Sequence, residues 1–299
     1  MKELIQRGIF GLVFLLFVFA PFIVDLKNNT NIFNFTLYAF AMLSTYELFK
    51  MAKNTEFPSN LMFPALLFNT ALFLPMLLET LRGLFPEMPF NPIWATLGSN
   101  KLLITVVVIC ALSIILFSTL TFIKGSIEAI FKLNFGLNAL YISVPLALLS
   151  FAYTMSPGVG PMATKPLLLL VLVPIYLNDT FAYISGRLFG KHLMFPTVSP
   201  KKTWEGFIGG AIIAALTMVT ILYFTQTQNT TSMEFIALAL VSLSVSVLAT
   251  LGDFFESRLK RAAKTKDSGS ILPGHGGILD RIDAMLFAAP ILFVILAFF

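Results

Sequence analysis

The chain reads as an all-α integral membrane protein, a polytopic bundle of about nine transmembrane helices with its N-terminus in the cytoplasm. Three observations predict this. First, 57% of its 299 residues are hydrophobic and only 12% are charged, about half the ~25% charge of an average soluble domain, and the mean hydropathy is +0.87. Second, apolar runs close to the roughly 20 residues that span a bilayer core recur from end to end. Third, much of the charge is concentrated in one short segment, Ser257 to Asp283, between two such runs. The linkers are too short for a soluble domain, so residues 1–299 form a single membrane domain.

The runs fall at roughly 8–24, 32–49, 61–81, 102–123, 136–154, 166–186, 207–225, 234–256 and 284–299. The first has a basic start like a signal peptide, but Pro21-Phe22-Ile23-Val24-Asp25 offers no small-residue cleavage pattern, so it reads as a retained span. The second carries Tyr46 and Glu47, and the third contains Pro64 and Pro75. The fourth holds the lone Cys110, a packing residue, since one cysteine allows no disulfide within the chain. The sixth carries Asn178 and Asp179, the seventh follows Gly206 and opens with Gly209 and Gly210, all of which suit close helix packing, and the eighth carries Asp253 near its end. Residues 1–165 supply less informative helices; residues 166–299 carry the polar motifs. The 32 phenylalanines serve as lipid-facing and helix-packing bulk.

Under nine spans, sixteen of the 20 Lys and Arg residues fall on one side. The positive-inside rule makes that side cytoplasmic. Leaving out the loops at 187–205 and 257–283 reduces the split to six against four, with the same sign. Both loops then face the cytoplasm, where nucleoside triphosphates are. The net charge of +5 fits cytoplasmic loops and anionic headgroups, and no nucleic-acid-binding motif is present.

Within the 257–283 segment, Lys260, Arg261, Lys264 and Lys266 form a positive cluster. Pro273-Gly274-His275-Gly276-Gly277 is a loop whose backbone can approach a ligand closely; Gly274, Gly276 and Gly277 suit an N–H nest for phosphate, and His275 suits a hydrogen-bond donor to it. Asp280 and Asp283, three residues apart on a helix, share a face. They can hold a hard metal ion or, structurally, cap the following helix. Arg281 lies between them. Asp253 and Ser257 are likewise paired at helical spacing. Glu256 is expected to pair with Arg258 or Lys260. In the other loop, Lys201 and Lys202 can ground a phosphate, and Trp204 anchors at the interface. Asp179, an ionisable group in an apolar run, points to function. Cations, close-approach glycines and paired carboxylates are the parts that phosphoryl or nucleotidyl transfer needs.

These residues carry a resemblance. Ser257, Lys260-Arg261, Lys266-Asp267, His275-Gly276-Gly277 and Asp280-Arg281-Ile282-Asp283 match, in order and spacing, the signature of the phosphatidate cytidylyltransferase family, also called CDP-diglyceride synthases. The stretches Asn178-Asp179-Thr180 through Gly190-Lys191 and Ser199-Pro200-Lys201-Lys202-Thr203-Trp204-Glu205-Gly206 are similar to it as well. The likeness covers roughly the last 120 residues.

The resemblance implies CTP and phosphatidate as substrates, membrane lipid as surroundings, a homodimer as assembly, the cell (inner) membrane as location, and Mg²⁺ as cofactor, with room for a second cation beside it. It implies Asp253, Asp280 and Asp283 as the acidic metal set and Lys260, Arg261, Lys266 and Asp267 as further catalytic residues. It implies Asp179, Ser199, Lys201, Lys202, Ser257, Lys264, Gly274, His275, Gly276, Gly277 and Arg281 as substrate contacts. A transporter with Asp179 and Asp253 along a cation path is the rival of another class; it predicts acids spread across membrane depth, whereas here they gather toward one side. A CDP-alcohol phosphotransferase is the closer rival, but Asp253 is not followed by the glycine its signature requires.

Overall fold

The computed structural model describes residues 13, 16–21, 23–25, 31–53, 61–84, 134–155, 164–196, 198–225, 232–274 and 276–298. The expected spans at 32–49, 61–81, 136–154, 166–186, 207–225, 234–256 and 284–299 coincide with helices. The span at 102–123, with Cys110, and part of the span at 8–24 lie outside the described residues, as does His275. In chain order the helices are α1 (Phe33–Ala52), α2 (Met62–Leu84), α3 (Asn134–Leu137), a π-helical turn (Asn138–Ser143), α4 (Val144–Met155), α5 (Thr164–Phe189), α6 (Trp204–Thr225), α7 (Ser232–Ala262) and α8 (Leu279–Phe298). Among the described residues, three stretches are long and apolar enough to cross a membrane: Met62–Leu81, Trp204–Ile221 and Phe235–Ala262.

The prolines of the third run do not break it. Pro64 lies in the first turn of α2, where no N–H is missed, and Pro75 is carried inside the helix. One feature departs from an all-α reading. Leu193–Phe195 (β1) and Ser199–Thr203 (β2) form an antiparallel hairpin with Leu193 opposite Thr203 and Phe195 opposite Ser199. Pro200 costs this ribbon little, because in a two-stranded sheet each strand has an open edge. Glu205, in the first turn of α6, closes its base. Its carboxylate accepts from Lys191 N (3.0 Å) and His192 N (3.2 Å) and meets His192 Nδ1 at 2.5 Å.

One hydrophobic core runs through both halves of the chain, from Phe33, Leu37 and Leu48 of α1 to Phe255 of α7 and Phe287 of α8. Two helix contacts set the site. Along α5 and α6, a Cβ on Gly206 would lie 2.6 Å from Ala182 O and one on Gly210 2.6 Å from Asn178 O, so these glycines permit the close packing expected of them. Between α7 and α8, a Cβ on Gly252 would lie 2.5 Å from Asp283 O. Gly252 therefore lets the two backbones meet at the level of Asp253 and Asp283.

Candidate active site

The C-terminal half of α7 presents Asp253, Glu256, Ser257 and Lys260 at i, i+3, i+4 and i+7, one side of a helix. Across from them stands the first turn of α8. Ligand oxygens of Asp253, Glu256 and Asp283 all lie within 4.8 Å of one another. Asp283 and Glu256 are buried, and Asp253 is partly exposed. Ser257 Oγ donates to Asp253 Oδ1 at 3.3 Å.

Two lysines compensate this charge. Lys202, from β2, reaches over to pair with Asp253. Burial alone would lower its affinity for a proton, but Asp253, then Asp179 and Asp283, raise it above that of an ordinary lysine, so Lys202 stays a cation. Lys260 pairs with Glu256 and, at 2.7 Å, with Asp280 Oδ1. Glu256 Oε1 nonetheless finds no hydrogen-bond partner among the described residues. Three clustered carboxylates, one with an orphaned buried oxygen, form an all-oxygen donor set of the kind hard divalent cations take. The residues present therefore fit Mg²⁺.

The geometry redistributes the expected acidic set. Asp253 and Asp283 come together as expected, but their third partner is Glu256, which the sequence suggested only as an ion-pair partner. The expected pairing of Glu256 with Lys260 is present as well. Asp280 lies outside the trio but shares Lys260 with Glu256. Its Oδ2 accepts from Ser268 N (2.9 Å), Ser268 Oγ (2.8 Å) and Gly277 N (2.7 Å), while Oδ1 takes Lys260. Its carboxylate is thus engaged in holding the glycine loop against the start of α8. This is the capping alternative realised for Asp280 but not for Asp283, because the two side chains diverge toward different neighbours.

The glycine loop lines a second feature, a cavity of about 420 Å³ with Lys266, Asp267, Gly274, Gly276 and Arg281 around it. Gly274 and Gly276 have φ of +78° and +84°, a conformation that side chains with a Cβ resist. The basic residues before it are placed by the end of α7. Thr265 N bonds Lys260 O (2.9 Å) and Lys264 N bonds Arg261 O (3.0 Å), with Lys264 itself at φ +54°, the bonding of a Schellman C-cap. Arg261 Nη1 donates to Thr265 O at 3.3 Å. Lys201 and Lys264 are exposed, and Ser199 is half-buried in β2. Asp179, on α5, lies close enough to Lys202 and Asp253 to feel both charges.

A residue outside the expected set completes the loop. Glu47 of α1 is buried, accepts from Ile278 N (3.1 Å) and Leu279 N (2.9 Å), and meets Ser268 Oγ at 3.3 Å. It satisfies two of the N–H groups that a helix start leaves open, and so ties the first half of the chain to the signature. An acid inside an apolar run was the signal that could have found it. Behind the trio, Tyr141 of the π-turn packs its ring edgewise on Phe255 (4.8 Å) and Phe287 (6.0 Å).

Apolar helices long enough to cross a membrane thus hold a carboxylate trio and a basic, glycine-rich loop, the mark of a membrane protein with a polar site. The chain matches the model of the Cytidylyltransferase family over residues 5–299, and it belongs to that family. It is similar to proteins named phosphatidate cytidylyltransferase. That of Staphylococcus haemolyticus (strain JCSC1435) is 41% identical over 163 residues, 52% of this chain and 60% of the relative. That of Bacillus subtilis (strain 168) is 48% identical over 127 residues, 42% of this chain and 46% of the relative. That of Staphylococcus aureus (strain COL) is 43% identical over 129 residues, 43% and 48% of the two chains. The matched stretch spans about half the length of these relatives.

Proposed function

We propose that this protein is a phosphatidate cytidylyltransferase, transferring CMP from CTP to phosphatidate to give CDP-diacylglycerol and pyrophosphate. The observation that carries the reading is the Asp253–Glu256–Asp283 cluster, together with the loop cavity edged by Lys266 and by Arg281, which precedes Asp283 by two residues on α8. The names of the relatives supply the substrates.

The reaction sets an anionic nucleophile against a polyanion. A phosphatidate oxygen attacks the α-phosphorus of CTP; the bond from that phosphorus to the α,β-bridging oxygen breaks, and pyrophosphate leaves with the electron pair. A phosphate monoester is already largely ionised at neutral pH, so no general base is required. Lys266, Arg281 and the N–H groups of Gly274 and Gly276 receive the leaving phosphates. Asp253, Glu256 and Asp283 hold Mg²⁺, which when bound supplies positive charge against that developing on the phosphates. Lys202 keeps Asp253 oriented, and Asp280 with Glu47 holds the loop in register. In this reading the chain is a nine-span protein of the cell membrane and a homodimer, with both charged loops on the cytoplasmic side.

The test is direct. Purified protein is given labelled CTP, phosphatidate and Mg²⁺. CDP-diacylglycerol and pyrophosphate are expected in equal amounts, and Asp283→Ala is expected to abolish both. Absence of product, with wild type and Asp283→Ala alike, sinks the reading.

A further inference from the structure

One side of α5 is out of character for a helix of apolar residues. Tyr176, Asp179, Thr180, Tyr183 and Arg187 fall within about 100° of one another around the helix axis, and all five are exposed. A polar stripe therefore runs from the end of α5 next to the hairpin as far as Tyr176. It stops there, because Leu172, one turn further along on the same side, is buried. Thr180 turns its hydroxyl back onto its own helix, donating to Tyr176 O at 2.9 Å. Asp179 makes no hydrogen bond or ion pair among the described residues. An ionisable group at this depth is costly against lipid, and its ordinary place is a wet cavity with a function.

The inner end of the stripe opens beside the acid trio. Asn178 Nδ2 donates to Thr250 Oγ1 at 3.3 Å, and Thr250 precedes Asp253 by one turn of α7. Asp179, the next residue of α5, is thus held near the level of Asp253. It feels the charges of Lys202 and Asp253, and Lys202 is itself paired with Asp253. Tyr176, 45% exposed, feels those of Asp283 and Arg281. Yet Asp179 is not one of the acids whose oxygens crowd within 4.8 Å. A group bound at Asp179 can therefore be joined through a sugar to a phosphate at the trio.

We propose that this face of α5 seats the nucleobase: the Asp179 carboxylate accepts from the exocyclic amine of cytosine, and the ring of Tyr176 carries the pyrimidine by stacking. The site rests on the cytidylyltransferase reading for the reaction and gives it a cause of base choice. A carboxylate only accepts. Cytosine presents an N–H donor at position 4, where uracil presents an oxygen. Asp179 therefore takes the one and repels the other, and a site built to bond an N–H strongly rejects an analogue lacking it. Stacking on an aromatic ring contributes about 1–3 kcal/mol whichever base is present. Tyr176 then supplies affinity and Asp179 supplies choice, so the two residues fail in different ways when changed.

The experiment reads binding apart from turnover. The full chain in detergent, with Mg²⁺ and without phosphatidate, is equilibrated with radiolabelled CTP, and unlabelled CTP or UTP competes. Wild type should prefer CTP by about tenfold or more, the equivalent of one charge-assisted hydrogen bond. Asp179→Asn, whose amide can donate to the uracil oxygen, should lose most of that preference, weakening CTP and improving UTP, with the Mg²⁺ requirement unmoved. Tyr176→Leu should weaken both nucleotides alike and keep their ratio, and Tyr176→Phe should recover most of the affinity. The ratio of kcat/KM for CTP and UTP, measured with phosphatidate and KM for phosphatidate beside it, should change in the same sense. Equal competition by CTP and UTP in the wild type overturns the site, as does an Asp179→Asn protein that keeps the wild-type ratio. So does a raised Mg²⁺ requirement with the ratio kept, which would make Asp179 a metal ligand, or a dimer dispersed by Asp179→Asn with the ratio kept, which would give the stripe to a second copy of the chain. CDP-diacylglycerol formed with base choice indifferent to Asp179 overturns the site alone; Asp179-dependent preference for CTP without product upholds the site and overturns the reaction.

Discussion

Two regions of this molecule bury polar groups in opposite ways. Among α1, α2, the π-turn and α4 the groups are mostly neutral and answer one another. Asn34 donates to Thr80 (3.1 Å) and Thr154 (2.8 Å) and accepts from Ser150 (2.8 Å); Thr45 donates to Asn138 (2.7 Å) and accepts from Asn69 (2.8 Å). Between α7 and α8 the groups are carboxylates crowded within 4.8 Å, with an oxygen of Glu256 left over. Hydrogen-bonded amides and hydroxyls fix one packing arrangement at modest net gain. Clustered acids repel each other, and persist where something else compensates them. The first region has the bonding of a scaffold; in the proposed reading the second receives positive charge.

The sharpest way to break this contrast is to exchange the acids. Asp283→Asn and Glu256→Gln are each expected to cut kcat by about 10²–10³-fold, the scale of losing one preorganised electrostatic group, and to raise the Mg²⁺ concentration needed for half-maximal rate. Asp280→Asn is expected to leave the Mg²⁺ requirement in place and to lower thermal stability instead, since its oxygens hold the loop. A Mg²⁺ titration of the three variants decides it. An Asp280 variant that shifts the requirement as Asp283 does would restore the acidic set that the sequence suggested.

Glu47 joins the two regions. Glu47→Ala leaves Ile278 N and Leu279 N buried without acceptors, at about 1–3 kcal/mol each. A large drop in detergent Tm is expected, with a raised KM for CTP. Glu47→Gln keeps one acceptor oxygen and is expected to recover most of the Tm. Equal damage by Ala and Gln would mean that the charge, and not the acceptor geometry, is what the loop needs.

Asn34→Ala is expected to cost about 1–3 kcal/mol of stability and to leave both KM values unchanged, as a scaffold residue should. A changed KM would extend the site into the first half of the chain.

The same contrast explains what was legible in the sequence. The helices of the described spans were readable because apolar length is a one-dimensional property. Asp253 and Asp283 were readable as charges at helical spacing beside a basic loop. Which other acid joins them was not, because the choice between Glu256 and Asp280 depends on how α7 and α8 meet, and that is set by the close approach at Gly252. The hairpin was hidden because Ser199-Pro200-Lys201-Lys202-Thr203 has the composition of a loop and forms a strand only against β1. Glu47 read as a blemish in a span, since the N–H groups it serves lie 231 and 232 residues away.

The smallest expected effect separates the roles of Lys264. This residue sits at the C-cap of α7 with φ +54°, where a side chain with a Cβ is strained by about 1–2 kcal/mol and glycine is not. As a purely structural residue, its replacement by glycine should stabilise the fold by about 1 kcal/mol and leave KM for CTP alone. As a phosphate contact, the same change should stabilise the fold and weaken CTP binding together, because backbone relief and loss of the ammonium act on different equilibria. Thermal unfolding read beside KM for CTP on Lys264→Gly therefore assigns the residue, and Lys264→Asn, which tolerates the same backbone without the charge, checks that the two effects separate.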